Sequence, residues 1–386
     1  MAGSVSEVDK TTPPALSQTE RETARDIAYA SQWRLVLMRF LRHRVAVVSG
    51  LVLVAMYLMA IFAPFLSPHE PDEKSITYRR SPPQLLHFIS EEGIHLRPFV
   101  YPFTVTTDRE TFHRYYSEDR QQRYPLRFFV RGYRYQFLFF FESDIHLFGT
   151  GVPEVPVHLL GTDNLGRDML ARVMYGARIS LSVGLLGVAI SFFLGVLFGG
   201  LSGYFGGLVD TIIQRVVEVL LSIPQLPLWM GLSAALPLSW PVVRMYLAIT
   251  VILSLVGWTR LAREVRGKFL SLRQEDFVVA AQIAGSRDLP IIFRHMLPSF
   301  FSHIVASLTL SIPLMIIGET SLSFLGLGMQ APAISWGVLL QTAQKVQTLA
   351  LAPWLMIPAL FVIVTVLAFN FVGDGIRDAA DPYGVL

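Results

Sequence analysis

Cysteine is absent from the 386-residue sequence, which excludes disulfide bonds, thiolate metal sites and a cysteine nucleophile. Charged residues are scarce too, at 16% of the chain against roughly 25% in soluble domains. Because 52% of the residues are hydrophobic, the composition is typical of a membrane protein. A net charge of only +3 indicates local basic clusters and argues against a nucleic-acid-binding surface.

Motifs for nucleotide or metal chemistry are also missing. The segment GTDNLGRD at 161–168 lacks the Gly-Lys-Ser/Thr ending of a P-loop, and LSGYFGG at 201–207 has no nucleotide-binding fold around it. The nine histidines form neither an H-x-x-x-H nor an H-E-x-x-H pattern, which disfavours an intramembrane metalloprotease. We therefore expect no catalytic residue, metal or other cofactor on this chain.

Six apolar stretches predict membrane-spanning helices, since a bilayer core needs roughly 20 apolar residues per helix. They are residues 45–66, 179–200, 212–236, 243–259, 300–318 and 353–372. Prolines inside spans, such as Pro224 and Pro313, are tolerated where neighbouring helices satisfy the freed carbonyl groups. The predicted fold is an all-α polytopic membrane protein with a six-helix bundle.

The placement of Lys and Arg predicts the orientation of this bundle. Basic residues precede the first span and fill the loop between the fourth and fifth spans. They are Arg34, Arg39, Arg42, Arg44, Arg260, Arg263, Arg266, Lys268, Arg273, Arg287 and Arg294. Both segments therefore belong in the cytoplasm, and with six spans both termini lie there, including a polar tail over residues 1–44.

The long segment at 67–160 is then an extracytoplasmic insert. Within it, residues 126–141 are too short to span a membrane and consist of two β-prone runs separated by Arg131-Gly132. We predict a β-hairpin there in a small subdomain. A structural cap on the membrane domain and a docking surface for a soluble partner are both compatible with this segment.

The second predicted span carries small residues at every fourth position. These are Gly187, Ser191, Gly195, Gly199 and Gly203. This spacing lets a second helix approach closely, so we expect helix packing there, either static or sliding during a conformational cycle. Arg215 and Glu218 share a helix face in the third span and are expected to pair or to reach the membrane surface.

The loop before the fifth span combines small, charged and proline residues. Ser271 with Gln274 fits a capping box, which predicts a helix from Glu275 that ends at Gly285, followed by a second short helix from Ser286 to Leu297-Pro298. The alanine-rich face of the first helix buries little apolar area. It is better suited to a tight groove on another protein than to a domain core.

Four blocks in this chain resemble the C-type permease subunit of dipeptide and oligopeptide ABC importers. The first is Ala280-Ala281 with Gly285 and Leu297-Pro298, which is similar to the EAA loop of such permeases. The others are GTDNLGRDMLARVMYGARISLSVG at 161–184, GETSLSFLGLG at 318–328 followed by Trp336-Gly337, and NFVGDGIRDAADP at 370–382. The resemblance covers the first span and the permease core at about 161–386, and it does not cover the insert.

This resemblance implies a multi-pass protein of the bacterial inner membrane and no ATPase site on this chain. The implied partners are a B-type permease, an extracytoplasmic binding protein, membrane lipid and two ATPase subunits that carry ATP and Mg. The loop at 261–298 becomes the coupling segment that contacts the ATPase. Its assigned residues are Glu275, Asp276, Phe277, Val279, Ala280, Ala281, Gly285, Leu297 and Pro298. Val279 stands where the family prefers glutamate.

Peptides are the substrate that the resemblance implies, and oligosaccharides or nickel chelates are alternatives within the same subfamily. An ion-coupled secondary transporter is a further alternative. It would need broken helices in inverted repeats or a midplane ion site, and neither is evident. Glu319 and Asn370 lie near span ends and do not form a midplane chain of ionisable groups.

Overall fold

The computed structural model describes residues 32–90, 93–110, 114–137, 141–237 and 239–380. Residues 1–31 of the predicted tail, 138–140 of the predicted hairpin and 381–382 of the last motif lie outside these ranges. In chain order, the first helices are α1 (Gln32–Arg42), α2 (Arg44–Ile61), α3 (Ala63–Leu66), α4 (Met169–Phe205), α5 (Gly207–Ser222), α6 (Gln225–Ala234), α7 (Val242–Leu272) and α8 (Asp276–Ile283). After them come α9 (Asp288–Pro290), a π-helix (Ile291–Met296), α10 (Leu297–Ser299), α11 (Phe301–Phe324), α12 (Trp336–Gln341), α13 (Val346–Leu351), a 3-10 turn (Pro353–Met356) and α14 (Ile357–Ala380).

Five described helices are long and apolar enough to cross a membrane, and the bent pair α5–α6 raises the number to six if it counts as one span. The spans α4 and α7 are longer than predicted, with 37 and 31 residues. At 1.5 Å per residue, α4 is about 55 Å long and exceeds a bilayer core of about 30 Å. Both helices are therefore longer than a bilayer core is thick, and most of the basic residues of α7 lie in its C-terminal half.

The prediction of one continuous third span is wrong. Helices α5 and α6 meet at an angle of 89°, and the break falls at Ile223-Pro224. Proline disfavours the helical conformation for the residue before it, and Ile223 is extended with φ −92° and ψ 129°. Helix α11, in contrast, runs through Pro313 without ending.

The core of the bundle lies between α2, α4, α7, α11 and α14. Its fully buried side chains include Leu181, Ile249, Leu253, Ile316 and Trp336. Helix α4 packs most extensively on α7, and α14 packs on α2 and α11. The insert leaves one end of this bundle, called here the insert end, and the segment 273–300 leaves the opposite end.

The insert contains more strands than a single hairpin. Its strands are β1 (His87–Ser90), β2 (Gly93–Val100), β3 (Phe103–Thr107), β4 (Arg114–Glu118), β5 (Tyr124–Pro125), β6 (Arg127–Phe137) and β7 (Phe141–Gly149). They form a three-stranded sheet in the order β1-β2-β5 and two antiparallel pairs, β3-β4 and β6-β7.

The predicted break at Arg131-Gly132 is wrong, because β6 continues through it. The register with β7 shifts between Arg131 and Tyr135, so the glycine lies in a bulge that bends the strand. A side chain at Gly132 would meet the His146 ring at 2.6 Å, which explains why the smallest residue lies there.

The GTDNLGRD segment joins the insert to the bundle. The Thr162 hydroxyl accepts a hydrogen bond from the Ser81 amide at 2.8 Å, and the Thr162 carbonyl accepts one from the Trp354 ring at 2.9 Å. The Asp168 carboxylate caps α4 by accepting from the Ala171 amide at 2.8 Å. The motif that resembled a phosphate loop is therefore a structural junction.

Candidate coupling surface

The segment that follows α7 is fixed to the bundle along one side of α8. Val278 is fully buried and Ala281 is half-buried, and both pack into a cluster with Phe269, Ile291 and Met296. Ala281 is among the contact residues assigned from the sequence, but it packs on its own chain and does not belong to the free face of α8.

The opposite side of this segment presents apolar side chains to the surroundings. The exposed fractions are 42% for Phe277, 40% for Val279, 83% for Ile283, 63% for Leu289 and 55% for Phe293. We call these five residues, together with the exposed Ala280, the docking face. Exposed apolar surface of this kind is typical of a contact with another molecule. Ile283, its most exposed member, was not among the residues predicted from the sequence.

The start of α8 differs from the prediction. Ser271 belongs to α7 and its hydroxyl donates to the Lys268 carbonyl at 3.1 Å, so the predicted capping box with Gln274 is wrong. Glu275 takes the N-cap position without a side-chain cap, and Asp276 is in the first turn. Its negative charge favours a helix N-terminus electrostatically.

Gly285 ends α8 as the sequence predicts. Its φ of +77° is in the left-handed region, and two backbone bonds close the turn. The Gly285 amide donates to the Gln282 carbonyl and the Ser286 amide to the Ala281 carbonyl, both at 3.0 Å. This pair of bonds is a Schellman motif, which favours glycine at this position.

The predicted second helix is present over residues 288–299, and its middle part is widened. Residues Ile291–Met296 are π-helical, and the Leu297 amide donates to the Ile292 carbonyl. Pro298 has no amide hydrogen and cannot donate to the carbonyl four residues earlier. Leu297 packs on the same cluster as Val278, so α8 and the start of α11 share one apolar contact.

Polar contacts join the ends of α4, α5 and α7 to one another, and one of them also holds the segment after α7. Arg266 donates two hydrogen bonds to Asp210, both at 2.6 Å, and Ser202 donates to the same carboxylate. The Tyr204 hydroxyl donates to Asp288 at 2.7 Å. Sequence reasoning missed these contacts, because the paired residues are 56 and 84 positions apart. Arg215 and Glu218 form the expected pair at 2.9 Å on an exposed surface.

The small-residue stripe of α4 faces α7. An added Cβ at Gly199 would lie 2.5 Å from the Ala262 carbonyl oxygen, and one at Gly203 would lie 2.6 Å from Phe269. Gly195 faces Leu261 in the same way, and the Ser191 hydroxyl donates to the Ser254 carbonyl at 3.4 Å, whereas Gly187 lies at ordinary contact distance from both Met315 of α11 and Ser254. The two backbones approach too closely for larger side chains.

Glu319 forms a buried polar hub at the insert end of α11. Its carboxylate accepts from the hydroxyls of Ser335 at 2.7 Å, Ser323 at 2.9 Å and Ser180 at 3.2 Å. Each hydroxyl also accepts from a backbone amide, of Val338, Met329 and Trp336 respectively. The carboxylate therefore fixes the segment from Met329 to Val338 against α4 and α11.

His69 lies in the junction between insert and bundle, near Asp168 and His158. Burial lowers the pKa of His69 to about 4, the His158 ring also lowers it, and Asp168 opposes the shift. An unfolded histidine has a pKa near 6.5, so the unfolded chain binds more protons between these values. Stability is consequently lost as the pH falls from about 6.5 toward 4.

We therefore expect the melting temperature of the purified protein to fall between pH 7 and pH 5. The variant His69→Gln retains an acceptor for the Val157 amide, which now donates to His69 at 3.2 Å, and it does not titrate. The melting temperature of this variant should therefore fall less than that of wild type over the same pH range. An equal fall in wild type and variant would show that His69 does not contribute.

Within the described ranges, no group of three His, Asp or Glu residues could hold a metal ion.

Two family descriptions match this chain. Residues 195–383 match the "Binding-protein-dependent transport system inner membrane component" and residues 31–83 the "N-terminal TM domain of oligopeptide transport permease C". The dipeptide transport system permease protein DppC of Bacillus subtilis is 31% identical over 97% of this chain and 89% of its own length. The oligopeptide transport system permease protein OppC of Escherichia coli is 42% identical over 58% of this chain and 72% of its own.

A glutathione transport system permease protein of Pectobacterium atrosepticum is 31% identical over 93% of both chains. Among solved structures, the inward-facing MetNI methionine ABC transporter covers 55% of this chain and 98% of its own, at 17% identity and a TM-score of 0.44. At this identity and TM-score, the structural likeness supports no conclusion about this chain.

Proposed function

The chain belongs to the inner-membrane permease family of binding-protein-dependent transport systems, and we propose that it forms half of the membrane pathway of an ATP-driven peptide importer. Peptides are the proposed substrate, because the matched relatives are named dipeptide, oligopeptide and glutathione permeases. In this proposal a B-type permease supplies the other half, and a binding protein delivers the substrate.

The proposed topology has six spans, with α5–α6 counted as one, in a bacterial inner membrane. Both termini and the docking face lie in the cytoplasm, and the insert lies outside. This orientation is supported by the basic residues of α7 near the docking face, among them Arg260, Arg263 and Lys268, because cytoplasmic loops are rich in Lys and Arg. The domain limits of the chain follow: tail 1–44, first span 45–66, insert 67–160 and permease core 161–386.

The observation that carries the proposal is an exposed apolar face on a short helix that is otherwise rigidly held. Val278 and Ala281 fix α8 to the bundle, while Phe277 and Ile283 remain open to a partner. We propose that this face seats in a cleft of one ATPase subunit. When the partner ATPases bind ATP and Mg and close, α8 moves with them and α11 follows through the Leu297-Pro298 joint.

Val279 enlarges the apolar face at the position where the family prefers glutamate. Because its side chain is 40% exposed, it would meet the ATPase directly. We propose that the matching surface of this importer's ATPase is apolar, because a charged group buried against valine would lose its hydration without gaining a partner.

The geometry of Gly285 provides a test of coupling that leaves the bundle untouched. An added Cβ there meets nothing within 4 Å, so a substitution acts only through the backbone φ of +77°. A β-branched residue is strongly disfavoured in this region, whereas asparagine tolerates it. We expect Gly285→Val to lower peptide uptake and substrate-stimulated ATP hydrolysis by about tenfold, for a strain of 1–2 kcal/mol.

The matched variant Gly285→Asn should keep most of both activities. The measurements use the reconstituted importer and a peptide that the cognate binding protein binds. Normal uptake by Gly285→Val would remove α8 from the coupling mechanism.

A further inference from the structure

The paired strands β6 and β7, called here the ribbon, are attached to the insert end of the first span. The Pro64 carbonyl in α3 accepts hydrogen bonds from the His146 ring at 2.9 Å and from the Tyr133 hydroxyl at 3.4 Å. The bulge at Gly132 brings His146 into this contact. The ribbon therefore lies against the end of the first span, and its Tyr133 hydroxyl also meets the Tyr175 hydroxyl of α4 at 3.1 Å.

Aromatic rings join the ribbon to the turn between α2 and α3. The Phe62 and Phe137 ring centroids are 5.3 Å apart, and those of Phe65 and Phe129 are 6.3 Å apart. Phe129 has a φ of +56°, which is rare and strained for a bulky residue. In this conformation the Phe129 ring faces Phe65 near the end of the span, although 69% of the side chain stays exposed.

The apolar surface of the first span continues onto the ribbon without a break. Helix α2 exposes a stripe at helical spacing, which includes Val48, Leu51, Val54, Leu58, Ile61 and Phe62. Phe62 contacts Phe137, and Phe137 lies opposite Phe141 in the register of the ribbon. Phe141 is 69% exposed, so the stripe ends in a solvent-accessible aromatic side chain.

We propose that the ribbon lies in the interfacial layer of the bilayer at the insert end, with Phe129 and Phe141 inserted among the lipids. Segments that lie in this layer bury Trp, Phe and Leu at the boundary between headgroups and acyl chains, and the exposed stripe of a spanning helix is its lipid-facing surface unless a partner covers it. Arg131 lies 3.9 Å from the Asp144 carboxylate, but its side chain is 86% exposed and is placed to reach lipid phosphates from the same strand. The ribbon is thereby a membrane anchor for the insert, and this holds whichever substrate is transported.

The absence of cysteine allows a direct test with single-cysteine variants of the full chain in the assembled importer. Phe141→Cys carries an NBD fluorophore in nanodiscs that contain lipids spin-labelled near the headgroup end of the acyl chain. The matched control is Ile94→Cys, in β2 of the same insert, where the native residue is 85% exposed. Phe62→Cys reports the end of the span.

We expect quenching at position 141 to resemble that at position 62 and to exceed that at position 94 at least threefold. Weak quenching with a water-like emission spectrum at position 141 would overturn the proposal. Weak quenching with a blue-shifted spectrum would overturn it too, since the partner permease would then cover the ribbon. Loss of quenching on addition of the binding protein would assign the face to that protein instead.

Discussion

Replacement of Ile283 by aspartate is expected to lower the affinity of the permease pair for its ATPase subunits at least tenfold and to abolish substrate-stimulated ATP hydrolysis. The native side chain is 83% exposed, so the change leaves the fold of the chain intact. In the complex, the new carboxylate would lose its hydration in an apolar cleft without gaining a partner, which costs more than the roughly 1.4 kcal/mol that a tenfold loss requires.

The matched control is Val346→Asp. Val346 is 82% exposed and follows Lys345 at the start of α13, in the connection between α12 and α14, outside the docking face. ATPase affinity and stimulated hydrolysis should be unchanged in this variant. If Ile283→Asp also retained both, the exposed apolar face of α8 would not be the ATPase contact.

Replacement of Glu319 by leucine is expected to destabilise the chain by about 3 kcal/mol, because three serine hydroxyls lose their common acceptor in a buried site, at about 1 kcal/mol or more each. The segment between Met329 and Val338 would be released from α11. We expect the melting temperature of the purified protein to fall by about 4 °C and peptide uptake to fall with it.

The isosteric variant Glu319→Gln retains an acceptor oxygen for part of the network. Its melting temperature should lie between those of wild type and Glu319→Leu. If the leucine variant were as stable as wild type, the three hydroxyls would have found other acceptors, and the hub would not organise this segment.

Local patterns predicted much of the membrane domain. Apolar runs located the spans, and the φ preference of glycine predicted the end of α8 at Gly285. These features depend on residues close together in the chain, as do the small residues at every fourth position of α4. Their contact with α7 could be expected as packing, but the sequence did not identify the partner helix.

Features that depend on distant residues could not be predicted in this way. The hub at Glu319 joins Ser180 and Ser335, which are 139 and 16 positions away. The bend at Pro224 depends on whether neighbouring helices hold a segment straight, and the bulge at Gly132 depends on the position of His146. The face of α8 was misassigned at Ala281, because several faces of a helix rich in small apolar residues have similar hydrophobicity.

The most direct test of the proposed coupling is the accessibility of position 283. In Ile283→Cys the introduced thiol is the only one in the chain, and its maleimide labelling rate can be measured with and without the ATPase subunits. We predict that the ATPases slow labelling at position 283 at least tenfold and leave labelling of Val346→Cys unchanged. Equal labelling rates at position 283 in the free and assembled permease would contradict the assignment of α8 as the coupling helix.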